Sequence, residues 1–160
     1  MMRSRTASWF ECKISYEKTR EDGLQKKVSE SYVVDALSFT EAENRIMEEM
    51  SSYISGEFTI KDIKIAPYKE IFFSDEEMAD RWYKAKLQFI TIDEKTEKEK
   101  RSNVNYLVQA GTVRGAVTNI ESVMGTTLID YVIAGVNETQ LMDVFEYGKS
   151  TQDDKAEMEQ

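Results

Sequence analysis

The chain has 160 residues, 41% hydrophobic and 11% aromatic, and its 30 acidic against 21 basic residues give a formal charge of −9. That composition is globular rather than disordered, and no apolar run approaches the roughly 20 residues that span a bilayer. The absence of histidine and the single cysteine exclude Ser-His-Asp and Cys-His catalysis, His-ligated zinc and an intrachain disulfide, while the acidity argues against non-specific affinity for duplex DNA or anionic membrane. One cysteine suits a reducing compartment, so the expected location is the cytoplasm.

Residues 1–7 carry charge with no hydrophobic stretch behind them and read as a flexible end rather than a secretory signal. Alternation then predicts a strand from Ser8 to Lys18, with Phe10, Cys12, Ile14 and Tyr16 on one face and Trp9, Glu11, Lys13 and Ser15 on the other. Asp22-Gly23 signals a hairpin turn, and a second strand follows from Gln25 to Asp35. Ser38 with Glu41 three residues later reads as a capping box. The helix it opens has an inward stripe of Phe39, Ala42, Ile46, Met50 and Tyr53 or Ile54, and Gly56 closes it. Phe58 to Ile65 predicts a third strand whose alternation changes near Asp62; Pro67 ends it, and Ile71-Phe72-Phe73 is a short apolar return. Ser74-Asp75-Glu76-Glu77 predicts a short acidic helix to about Asp80. Beyond it come a strand from Arg81 to Thr91, a charged hairpin, a strand from Asn103 to Ala110 and a helix from Thr112 to Leu128. Ile129 to Val136 and Met142 to Phe145 read as the last two strands. Residues 148–160 read as a flexible acidic tail.

The second series repeats the first. Trp9-Phe10-Glu11-Cys12-Lys13 is echoed by Trp82-Tyr83-Lys84-Ala85-Lys86 at an offset of 73 residues, Trp9 to Trp82. Tyr32, Val34, Ala42, Ile46 and Met50 match Tyr106, Val108, Ala116, Ile120 and Met124, and Ile60, Ile71 and Phe72 match Ile133, Val144 and Phe145. The expected architecture is α+β: an internal duplication of a β-β-α-β unit with antiparallel hairpins and two main helices packed on sheet. The expected domains are repeats over 8–73 and 82–147 joined by a short helix at 74–81. A pseudo-two-fold arrangement would let the repeats bury their remaining apolar surfaces together in one compact domain.

The candidate binding surface is the matched set Trp9 and Lys13 with Trp82, Lys84 and Lys86. The first reading is that each tryptophan seals the rim of the sheet, and the second that it meets a protein; alternatively, aromatic and basic side chains side by side on strands suit base stacking and phosphate contact in single-stranded nucleic acid. Cys12 falls on the core face and reads as a buried, inert thiol. Asp75, Glu76, Glu77 and Asp80 fit no calcium loop and read as the first turn of a helix. No catalytic, cofactor or metal residues are expected.

The strings WFECKISYEKT, GLQKKVSESYVVDALSFTEAENRI, ISGEFTIKDI and FFSDEEMADRWYKAKLQFITIDEK resemble a domain-of-unknown-function family of Bacteroides-type bacteria and their phages, over Trp9 to about Tyr147. The resemblance implies a bacterial or phage protein and brings no site residues. The expected function is a non-enzymatic interaction or adaptor protein with an unidentified protein partner, no cofactor and no membrane. The alternative is a single-stranded nucleic-acid-binding accessory protein using the paired Trp/Lys faces and the acidic tail.

Overall fold

A computed structural model of the chain describes residues 7–147. The expected acidic tail, 148–160, and all but the last residue of the expected N-terminal arm lie outside the described residues. The elements in order are β1 (Ser8–Thr19), β2 (Gln25–Ala36), α1 (Phe39–Tyr53), β3 (Phe58–Ile65), β4 (Glu70–Phe72), β5 (Arg81–Ile92), β6 (Glu99–Ala110), α2 (Val113–Met124), β7 (Asp130–Glu138) and β8 (Leu141–Phe145). The fold is α+β, with two helices packed on two mixed four-stranded sheets.

The sheets are ordered β3-β1-β2-β8 and β4-β6-β5-β7. Each is built on an antiparallel hairpin of two twelve-residue strands, and the first turns at Gly23, whose φ of +82° only glycine adopts without strain. Each has a third strand antiparallel to the first and a fourth parallel to the second. Two compact units result. One runs through Ala66 and resumes at Leu141; the other is Pro67–Gln140.

These units cut across the expected repeats, because the fourth strands are exchanged. β4 follows β3 in the chain yet joins β6, and β8 follows β7 yet joins β2. Link length forces this. Within its own sheet, β4 would lie parallel to β3 and three strand spacings away, about 14 Å. Such a return needs a crossover of about a dozen residues or more, whereas only residues 66–69 separate β3 from β4 and residues 139 and 140 separate β7 from β8.

The cores sit between helix and sheet. Phe10, Cys12, Ile14, Val34 and Ala36 meet Ala42, Ile46 and Met50 of α1, and Tyr83, Ala85, Leu87, Val108 and Ala110 meet Ala116 and Ile120 of α2. Ser38 caps α1 by accepting the Glu41 N–H at 3.1 Å, and Thr112 caps α2 through Gly115 N–H at 3.0 Å. Phe39 and Tyr53 end up exposed at the helix ends, although Phe39 keeps an edge contact with Phe10 at 5.0 Å. Ile54, not Gly56, terminates α1, in an extended conformation. Likewise α2 stops at Met124, short of the expected Leu128.

The short helix expected at 74–81 is absent. Ser74 Oγ does accept the Glu76 N–H at 3.3 Å, but only a turn at Glu77-Met78 follows. Tertiary contacts override the local signal. Gln109 accepts the Ser74 N–H at 2.9 Å and donates to Ala79 O at 3.0 Å. The Met78 carbonyl lies against Gly111, where a Cβ would come within 2.3 Å of it, so glycine alone fits.

A polar latch holds each exchanged strand. In the first unit Arg45 donates to the Asp35 carbonyl and, at 3.2 Å, to its carboxylate, which also accepts the Tyr147 N–H at 3.0 Å just past β8. Glu41 pairs with Arg45 at 2.5 Å, and the Tyr147 hydroxyl donates to Arg45 O and Glu49. In the second, Asn119 donates to the Gln109 carbonyl at 2.9 Å, while the Gln109 side chain accepts Ser74 N–H just past β4. The Asp35 side chain is only 7% exposed, so Asp35→Ala removes the buried acceptor that Arg45 and the Tyr147 N–H share, and is expected to cost about 3 kcal/mol. Gln109→Ala removes neutral hydrogen bonds and is expected to cost about 1–2 kcal/mol. Urea unfolding checks the ranking, and an equal or reversed order would refute the charged latch as the stronger one.

Candidate functional site

The structure divides the five expected binding residues. Lys13, Lys84 and Lys86 are exposed, as strand alternation requires of side chains pointing away from the helix. Trp9 and Trp82 share their face by parity but are each only 3% exposed. Both rings are therefore covered rather than turned to solvent. Around Trp9 the same sheet face also buries Val33, Ser15 and Val144; around Trp82 it buries Leu107 and Ile71, and Phe73 meets the Trp82 ring edge-on at 5.7 Å. The lysines are brought to the surface without the aromatic faces, so no open stacking platform is assembled there.

Cys12 is fully buried, and burial, helped by Glu11 and Asp62, pushes its thiol up to about 12. A thiol so far from ionisation is a poor nucleophile at neutral pH. Burial pushes the Tyr32 phenol up to about 12 as well and raises Tyr147, where Glu49 accepts its hydrogen bond. Asp75, Glu76, Glu77 and Asp80 lie on the turn before β5, and among the described residues no group of three or more acidic or cysteine side chains is placed to hold a metal. At the β1–β2 tip, Lys18, Arg20 and Lys26 line a concavity with Glu21 and Asp22, and Arg20 pairs with Asp22 at 3.8 Å, so the charges offset one another.

The sharpest contrast lies at the sheet edges. β3 and β7 are matched edge strands, and each bulges at the matched residue: Lys61 is skipped between Lys13↔Asp62 and Ile14↔Ile60, Ala134 between Lys86↔Gly135 and Leu87↔Ile133. Along β3 the edge carries Lys61, Asp62 and Lys64, the last paired with Glu11 at 3.6 Å. Charges and a bulge are the usual means of keeping an edge from recruiting another strand. On β7 the corresponding residues are Ala134, Gly135 and Asn137, and no charge occurs between Asp130 and Glu138. Antiparallel pairing to β5 turns every second backbone N–H and C=O of β7 outward, and no strand pairs with that side among the described residues.

The approach to β7 differs in the same sense. Ser55 and Gly56 precede Glu57 before β3; Leu128, fully exposed, and Ile129, half exposed, precede Asp130. Val123, half exposed on the last turn of α2, stands where α1 has Glu49. Attention to the strongest repeated positions, the tryptophans, passes over these residues. The signal for them is the opposite one, positions at which the two edge strands fail to match.

The chain matches one family, described as a domain of unknown function (DUF4494), over residues 8–147. It belongs to that family. No curated protein and no solved structure matches it. The match spans both sheets and ends at Tyr147, so the latch residues of both units fall within the DUF4494 domain.

Two measurements check this account. Tryptophan emission is expected to be blue-shifted and resistant to acrylamide in the native chain, and red-shifted, easily quenched emission would overturn the burial of both rings. The raised acids of Cys12, Tyr32 and Tyr147 ionise more readily once unfolded, so the unfolded chain holds fewer protons above its own pKa values. Stability is therefore expected to be steady from neutral pH to about pH 9 and to fall toward pH 12. A stability curve flat across that range would refute it.

Proposed function

We propose that this chain is a non-enzymatic interaction protein, built by duplication of one β-β-α-β unit and working through protein contacts in the cytoplasm of a bacterium or its phage. The bacterial or phage setting rests on the family resemblance. The duplication is supported by the shared strand order, the matched bulges, the two latches and the paired aromatic stacks, Tyr32 on Phe145 at 5.7 Å and Tyr106 on Phe72 at 4.9 Å. The observation that carries the functional reading is the edge of β7, open and uncharged where its counterpart β3 is charged. Exposed apolar side chains beside an unpaired edge suit contact with another polypeptide.

The alternative, binding of single-stranded nucleic acid, is supported only by the exposed ammonium groups of Lys13, Lys84 and Lys86. Tagged full-length chain, expressed in its native host and recovered at moderate salt, is expected to retain a protein cross-linked to Pro67–Gln140. Recovery of single-stranded DNA alone, with retention falling steeply as salt rises, would sink the protein-contact reading in favour of the alternative.

A further inference from the structure

We propose that the segment Leu128–Ile133 is a docking edge for an extended segment of another protein, apolar at alternate positions and flanked by lysine or arginine, which adds to the sheet as a strand beside β7. This rests on the protein-contact reading and specifies its site and its partner's chemistry.

Backbone geometry supplies the mode. The Ala134 bulge interrupts β7, and the run N-terminal to it pairs in register with β5, from Asp130↔Ile90 to Ile133↔Leu87. Its outer side offers regularly spaced backbone donors and acceptors. Leu128 and Ile129, in the bend that leads into the run, add two exposed apolar side chains against which residues of an added strand can pack.

Charge selects the occupant. No lysine or arginine occurs from Gly115 to Gly148, while Asp130 opens the strand and Glu138 ends it. On the neighbouring β5 the nearest lysine, Lys86, stands opposite Gly135, beyond the bulge, and the Lys69 ammonium is engaged over the ring of Phe89, the partner of Tyr131, 6.0 Å from its centre. Arg101, two strands in on the face of Asp130, is already engaged by Gln88 at 3.2 Å and Glu99 at 3.5 Å. A basic-flanked segment therefore meets acidic groups at the rim, and an acidic one meets repulsion. A second copy of this chain is disfavoured, since its formal charge is −9 and its own Leu128–Ile133 run brings no lysine or arginine to meet Asp130.

The test uses the full chain and two labelled peptides, each alternating valine and threonine, one flanked by lysines and the other by glutamates. Fluorescence anisotropy is expected to give saturable binding of the lysine-flanked peptide, at least about tenfold tighter than the other, a difference of ~1.4 kcal/mol. Leu128→Ser with Ala134→Lys borrows the residues of the matching edge, and is expected to abolish binding while leaving the unfolding midpoint within the range usual for surface changes. Lys61→Ala, on the other edge, is expected to leave binding unchanged. Equal affinity for both peptides, no binding of either, or binding indifferent to the double substitution would overturn the proposal. So would sedimentation showing that the wild-type chain self-associates through Leu128 and Ala134. If the double variant still captures the host partner, this edge is refuted and the broader protein-contact reading survives.

Discussion

The structure depends on the exchange of its fourth strands. β4 and β8 each leave the unit in which their chain segment began and complete the other sheet, because the links before them are too short for a parallel return. Neither repeat alone contains a finished four-stranded sheet, so the smallest segment that can satisfy both sheets is the whole of residues 8–147. This makes folding non-local. The closing contacts join Tyr147 to Asp35 and Ser74 to Gln109, across sequence separations whose loop entropy must be offset before these bonds contribute.

The two latches show which features tolerate substitution. Geometry is retained: a side chain one residue before the end of the second strand captures a backbone N–H just past the fourth, while a helix side chain donates to that residue's carbonyl. The chemistry is not retained. One latch uses Asp35, Arg45 and Glu41, with the Arg45 guanidinium 4.7 Å from the centre of the Tyr147 ring; the other uses Gln109 and Asn119. A carboxylate buried to this degree requires a cation, whereas a buried amide requires only a donor and an acceptor. The first solution brings a network of charges with it, and the second places its amide group to bridge Ser74 and Ala79 and hold the turn before β5.

Short-range physics was legible in the sequence. Period-two alternation gave the long hairpin strands, the Ser38 cap gave the start of the first helix, the repeat gave that of the second, and the altered alternation near Asp62 marked the bulge that the structure places at Lys61. What escaped were features decided by distant partners. The acids after Ser74 carry a helix-start signal, yet Gln109 and the close approach to Gly111 hold that segment in a single non-helical turn. Trp9 and Trp82 fall on the face opposite the helix, and alternation alone gave no reason for that face to be buried. The exchange could have been reached by counting residues between β3 and β4, since the obstacle is one of chain length rather than of residue type.

The edges carry the argument from fold toward function. An uncharged edge strand invites unwanted pairing, and β3 answers that hazard with Lys61, Asp62 and Lys64. β7 has the same bulge without the charges. Its remaining restraint is long-range: a chain of formal charge −9 repels its own copies, and the absence of lysine and arginine from Gly115 to Gly148 concentrates the repulsion near this edge. Such a restraint is selective. It discourages self-association and acidic neighbours while leaving the strand accessible to a basic, extended one, so the same residues that limit aggregation also set the kind of partner the edge can admit.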